Sequence, residues 1–436
     1  MAQSLGEKVK ALRKELKMTQ TDLAGSEMTK SMLSQIENNL ATPSMKNLQY
    51  LASKLGKSVA YFLEASIYQP DLPIEEIHEA LKAVNELIDN AKPEEALIKL
   101  ENILEKYNLD HDSKLYADFL DKYGQCLIDL NRIEDGQEKI KEAVGIYKDK
   151  FLFIDAAKAY LTLMKIYWNS FDYYKCMEIL EEALEISDNS INKDKTFEIE
   201  AMHIKSILYT GMDKVEDSVI AAEKALSISK ETNIYYKADE LHKNLAHMNS
   251  FLGKYENFDF HMNKARQFAI FTDNINVLAS IEVGCGMYAN QTGRPKEALE
   301  YLNKVLVPST VIAVFVYTEK AKALYMLEEY RQALDTLKLV QYPSYTPFRY
   351  DYLHIWSSKV YKGLCLNKLG NTKEAVEDIK QGIEKMQVVG ESKTLAFAYK
   401  SLSEVYSDMK DFESAFEALK RANEIDEFAK ENKLYY

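Results

Sequence analysis

Proline and glycine are scarce in this chain, 8 and 15 among 436 residues, which argues against a loop-rich or β-rich protein. Cysteine is scarcer. The four present (Cys126, Cys176, Cys285, Cys365) include no Cys-x-x-Cys pair, the pattern of reduced thiols in a cytoplasmic protein and not of a disulfide framework. No apolar run approaches membrane-spanning length, and the start MAQSLGEKVKALRKE lacks an apolar signal region, so neither a membrane span nor secretion is expected. Alternating β patterns are missing as well. The seven histidines form no His-Glu-x-x-His, and His242 and His247 are five apart, the wrong spacing for two metal ligands on one helical face. Gly284-Cys285-Gly286 has no strand before it, so it is not a phosphate loop, and no Gly-x-Ser-x-Gly occurs. Neither catalysis nor a metal or cofactor is expected.

What is present is helix-forming. The composition is 47% hydrophobic and 28% charged, and Glu, Lys, Leu and Ala dominate long tracts. The net charge of −13 is unevenly spread. Residues 1–64 hold nine Lys/Arg against six Asp/Glu, a balance of +3, which leaves −16 for the remainder. A small basic head on a large acidic body points to a polyanion that meets the head alone.

In the head, Leu5, Val9, Leu12 and Leu16 recur at helical spacing, a first amphipathic helix. Thr19 is placed to cap a second, with Asp22 at its third position in capping-box fashion. After the tight Gly25-Ser26-Glu27 connection, Thr29 caps a third helix, which Asn39, a residue tolerant of left-handed backbone, follows. Pro43-Ser44 opens a fourth that Gly56 closes, and SVAYFLE is a short fifth. On the third helix Met28, Leu33 and Ile36 form the buried side. Thr29, Lys30, Ser31, Ser34 and Gln35 put donors and acceptors on the other, where base edges could be reached from a major groove. Spacing, caps and core positions over about 60 residues resemble an Xre/Cro-type helix-turn-helix. That resemblance implies phosphate contacts for Gln20, Asn38 and Lys46, and for the N-terminus of the fourth helix.

The body repeats itself. KPEEALIKL, RPKEALEYL, EYRQALDTL, NTKEAVEDI and DFESAFEAL each open a helix that follows another amphipathic helix. Aligned on the small residue, the register is Ala96, Gly136, Cys176, Ser218, Phe258, Ala298, Ala333, Ala375 and Ala415, with steps of 40, 40, 42, 40, 40, 35, 42 and 40. Twelve residues before each lie Val84, Gly124, Met164, Ser206, Ala246, Gly286, Ala321, Gly363 and Ser403, seven of the nine small. Small residues at both places let two helices approach closely, which together with a turn five residues before the anchor (Gly253, Gly293, Gly370) favours tetratricopeptide units with lengthened helices. Nine such repeats stack into a superhelix whose first helices line a concave wall. This register turns Lys165, Asn169, Glu200, His203, Lys243, His247, Asn290, Gln291 and Lys322 towards the concavity, with Asn85, Gln125, Trp168, Lys400 and Glu404. Amides there could pair with an extended peptide backbone, and a lysine could take a carboxylate.

The expected fold is therefore all-α: a helix-turn-helix domain over 1–66, a linker over 67–73 (IYQPDLP to its second proline), and a tetratricopeptide array over 74–432. This combination resembles the RRNPP family of peptide-pheromone receptors of Gram-positive bacteria, in its PlcR and NprR branches. The resemblance implies a cytoplasmic, homodimeric quorum-sensing transcription regulator, its partners being operator DNA and a short signalling peptide. Two other readings stay open: an array that also sequesters a response regulator, and an array that is only a scaffold for protein partners.

Overall fold

The computed structural model describes residues 5–38, 41, 43–63, 74–305, 310–343, 346 and 348–436. Asn39 and the 67–73 linker lie outside them. The chain forms two compact units, one of Met1–Ala83 with Asn102–Asn108, the other of Val84–Glu101 with Leu109–Tyr436. Among the described residues no strand occurs, and no helix is long and apolar enough to cross a membrane.

The head contains α1 (Leu5–Glu15), α2 (Gln20–Ala24), α3 (Lys30–Glu37), α4 (Met45–Lys54) and α5 (Val59–Leu63). Its caps fall where the sequence places them. Thr19 and Asp22 form a capping box at α2; the Thr29 hydroxyl accepts from the Met32 amide at α3; Ser44 accepts from the Asn47 amide at α4. Val9, Leu23, Leu33, Ile36, Leu51 and Phe62 build a core with no more than 2% exposure apiece, large for so short a segment and enough to fix α2 against α3.

The array follows. Helices α6 (Ile74–Asp89) and α7 (Pro93–Lys106) are divided between the two units. The pairs after them are α8 (Lys114–Asp129) with α9 (Ile133–Asp149), α10 and α11 (Phe153–Leu161, Met164–Trp168) with α12 (Tyr173–Asp188), and α13 (Lys195–Gly211) with α14 (Val215–Thr232). Next come α15 (Ala238–Phe251) with α16 (Tyr255–Phe271) and α17 (Ile275–Gln291) with α18 (Pro295–Leu302). The last three are α19 (Thr310–Met326) with α20 (Tyr330–Leu337), α21 (Arg349–Lys368) with α22 (Thr372–Gln387), and α23 (Lys393–Asp408) with α24 (Phe412–Glu431).

All eighteen register positions read from the sequence are buried. They meet in pairs. A methyl group added to Gly124 would stand 2.9 Å from the Gly136 carbonyl oxygen, and one added to Gly136 would stand 2.8 Å from that of Gly124. Ser206 and Ser218 hydrogen-bond hydroxyl to hydroxyl at 3.0 Å, and the Ser403 hydroxyl donates to the Ala415 carbonyl at 2.8 Å. In these repeats the two helices approach to backbone contact, which small residues permit.

The turn is more uniform than its sequence. Five residues before each anchor stand Ala91, Asn131, Phe171, Asp213, Gly253, Gly293, Glu328, Gly370 and Lys410, and all nine have left-handed φ, from 55° to 87°. The next amide in each donates to a carbonyl five residues back, as Arg132 does to Leu127 at 2.8 Å and Asn371 to Leu366 at 2.9 Å. This is the Schellman closure of the first helix. Glycine marks only three of the nine turns, so the sequence reading saw only those.

One repeat departs from the pattern. Its first helix breaks between α10 and α11, where Thr162, Leu163, Lys165 and Ile166 bond to carbonyls three residues back, a local tightening of the helix.

Candidate functional site: an exposed helix face and a cavity

On α3 the polar side predicted from sequence is the free one. Thr29, Lys30, Ser31 and Gln35 are exposed and Ser34 is half-buried, while Leu33 and Ile36 face the core. The turn into α3 depends on Gly25, whose φ of 55° and ψ of −139° suit glycine alone. Lys46 is exposed at the start of α4, 3.3 Å from Glu27, a surface pair too weak to withhold the lysine from another anion.

Gln20 is half-buried at the start of α2, and its amide donates to Glu37 at 2.9 Å, a bond that braces the head. Glu37 is the reason. This carboxylate is 2% exposed and needs partners, which Arg13 supplies at 2.5 and 2.9 Å. Burial raises the Glu37 pKa, but the bonds from Arg13 and Gln20 outweigh it and hold the group below its ordinary value. The buried pair ties α1 to α3 and was not foreseen from sequence. Asn38 is exposed, but its amide donates to the Ser34 carbonyl at 2.9 Å and its oxygen accepts from Lys10 at 3.2 Å.

In the array a cavity of about 340 Å³ opens between the first helices of five successive repeats, at the lower end of the range for ligand pockets. Helix α13 supplies Ile207, Thr210 and Gly211. Helix α15 supplies Glu240, Lys243, Asn244, His247, Met248 and Phe251, spaced along one face; α17 adds Ser280, Val283, Gly284 and Met287. Val311, Ile312 and Phe315 come from α19, and Phe348 to Asp351 from the start of α21. Tyr436 completes the wall. The cavity is thus bordered by first helices of successive repeats.

Of the nine residues proposed for peptide contact, Lys243 and His247 line the cavity. Burial lowers the His247 imidazole to about 4, so it is neutral there. The rest lie elsewhere. His203 is 2% exposed, with burial lowering it to about 3, and Asn290 is 3% exposed and donates to the buried Glu319 carboxylate at 2.6 Å. Both are packing residues, because an inward-facing position next to a neighbouring repeat is covered by it. Lys322 stands 3.7 Å from the same Glu319. Lys165 pairs with Asp129 at 2.9 Å, Glu200 accepts a long bond from Tyr236 at 3.5 Å, and Gln291 is exposed with its oxygen 3.3 Å from the Ser250 hydroxyl. Asn169 is exposed at the end of α11.

Residues that sequence reasoning missed close one side of the cavity. The Arg349 amide donates to the Tyr173 hydroxyl at 2.8 Å, and its guanidinium donates to the Val389 and Glu391 carbonyls at 2.9 and 2.7 Å and lies 3.6 Å from Asp213. Phe348 packs edge-on to Trp168. The Tyr435 amide donates to Asp213 at 2.8 Å and its hydroxyl to Glu216 at 2.6 Å, while Tyr436 packs between Phe251 and Tyr350. Burial raises the Asp213 carboxyl despite these donors. The segment Leu434–Tyr436 is thus a strap from the last repeat to the α13–α14 turn, and no periodic signal announces it.

Residues 9–62 match the helix-turn-helix family, and residues 157–190 and 398–428 match the tetratricopeptide repeat family. No curated protein matches the sequence. Among solved structures, the Rap conjugation gene regulator of the plasmid pLS20, in complex with the Phr* peptide, is similar with a TM-score of 0.51 at 17% identity, over 83% of this chain and 97% of that one. NprR in complex with its cognate peptide NprX gives 0.47 at 15%, over 79% and 87%. PlcR of Bacillus thuringiensis, in complex with the peptide PapR7 and DNA, gives 0.42 at 20%, over 62% and 96%. The chain thus joins a helix-turn-helix match near its start to tetratricopeptide repeat matches further on, and the likeness to solved structures is one of fold.

Proposed function

We propose that the chain is a peptide-responsive transcription regulator, in which α3 reads operator DNA and the array takes a short peptide in the cavity between α13 and α21. The observation that carries this reading is the cavity, built on the first helices of an array that shares its chain with a helix-turn-helix. The pLS20 regulator, a structure of the same fold, was solved with a peptide. Lys243 is free to meet a peptide carboxylate and the Asn244 amide to meet its backbone.

On DNA, Lys30, Ser31 and Gln35 reach base edges, with Thr29 and Ser34 beside them, and Lys46 and the α4 N-terminus hold phosphates. A homodimer places two heads on half-sites about 34 Å apart. The outer face of α24 supports self-association, with Phe412, Phe416 and Leu419 exposed by 68%, 64% and 44%. The peptide acts through unequal affinity for two states of the array.

Selection of duplexes from random-sequence DNA by the full chain, followed by titration of the winner, tests the head. Lys30→Ala should weaken binding by about 1–3 kcal/mol and relax the sequence preference. Unchanged affinity and preference would remove α3 from the recognition role.

A further inference from the structure

The cavity is apolar over most of its wall but carries four charged side chains, Glu240, Lys243, Arg349 and Asp351. Arg349 is committed to Asp213 and to two backbone carbonyls. His247 is neutral, and Glu240 lies 3.9 Å from Lys237 and 3.7 Å from His203. Asp351 makes no hydrogen bond or ion pair among the described residues. The cation that acts on it is Lys243, through space. Tyr350 and Tyr436 complete the titratable lining and are protonated, since burial raises both phenols. A carboxylate placed half-buried at a largely apolar wall without a bonded partner is a costly arrangement, which an incoming cation relieves. Burial raises the Asp351 carboxyl to about 7, the mark of that cost. Phe251, Met287 and Phe315 stand in the same wall and suit an apolar neighbour of the cation.

We propose that the cavity selects a short apolar peptide carrying a primary ammonium group, which lodges against Asp351. This rests on the peptide-binding reading above and adds the chemistry of the ligand. The ammonium comes either from the peptide's α-amine or from a lysine side chain.

The probe is a positional-scanning mixture of tetrapeptides in three forms: free α-amine without lysine or arginine, N-acetylated with lysine, and N-acetylated without lysine or arginine. Equilibrium dialysis against the full chain at pH 8, with retained peptides read by mass spectrometry, gives the preference. One ammonium-bearing form should be retained roughly tenfold or more above the neutral form, and which form it is identifies the source of the ammonium. Asp351→Asn should abolish the preference. Lys243→Met, which removes the competing cation, should enlarge it and tests the same idea if Asp351→Asn folds poorly. Equal retention of charged and neutral forms, or a preference that survives Asp351→Asn, would overturn the ammonium proposal and leave peptide binding standing. Retention of none of the forms would overturn both.

Discussion

The hydroxyl of Tyr436 donates a 2.6 Å hydrogen bond to the carbonyl oxygen of Thr210, 226 positions earlier in the chain. That carbonyl lies in the last turn of α13, at the edge of the cavity, and the ring that reaches it is 4% exposed. Tyr436→Phe should cost about 1 kcal/mol, the net value of one such bond. Tyr436→Ala should cost about 3 kcal/mol or more through the void left between Phe251 and Tyr350. Hydrogen exchange should rise at Thr210–Asp213 in Tyr436→Ala. Unaltered exchange there would mean that the strap does not hold α13.

The strap also marks the limit of what the sequence shows. Ala96, Gly136 and their seven counterparts announce the repeats because close helix approach demands small side chains at a fixed spacing. Thr19, Thr29 and Ser44 announce the head because capping is local chemistry. Lys243 and His247 follow from the same register. Arg349, Asp351 and Tyr436 do not, since contacts between repeats more than 170 residues apart leave no periodic trace. The bond from Gln20 to Glu37 is hidden for a related reason: burial of a charge is invisible until α1 and α3 are packed.

The turn positions offer a direct comparison. Lys410 holds a φ of 63° and Gly370 one of 87° in equivalent places. Left-handed backbone costs a non-glycine residue about 1–2 kcal/mol. Lys410→Gly should therefore raise the melting temperature, and Gly370→Ala should lower it by about 1 kcal/mol in stability. Opposite signs in calorimetry would refute the strain assignment.

Stability should fall towards both ends of the pH scale for separable reasons. His203 is lowered to about 3, and His242, His247 and His354 to about 4, by burial foremost. Their folded values lie below the unfolded one near 6.5, so the stability they carry is present above that value and is lost as pH falls towards 4. Asp351 acts in the other direction. Its folded value of about 7 exceeds the unfolded value near 4, so its contribution is full below pH 4 and is lost as pH rises through 7. Asp351→Asn should be more stable than the parent at pH 8, on the order of 1–3 kcal/mol, and no more stable at pH 4. Thermal melts across pH 4–9 check both signs.

Gly25 gives the head its own test. A methyl group there would lie 2.2 Å from the Tyr50 hydroxyl, a contact the tyrosine can escape, but the backbone conformation itself excludes other residues. Gly25→Ala should destabilise the head by about 1–3 kcal/mol and depress DNA binding, while peptide retention by the array is unchanged. Loss of both activities together would show that the two units do not fold independently.

The measurement that bears most directly on the account is the affinity of the full chain for its selected duplex, by fluorescence anisotropy, with and without a saturating retained tetrapeptide. The peptide should change Kd by about 5- to 150-fold, the range of an allosteric coupling, and Asp351→Asn should remove the change. An identical Kd with and without bound peptide would contradict it.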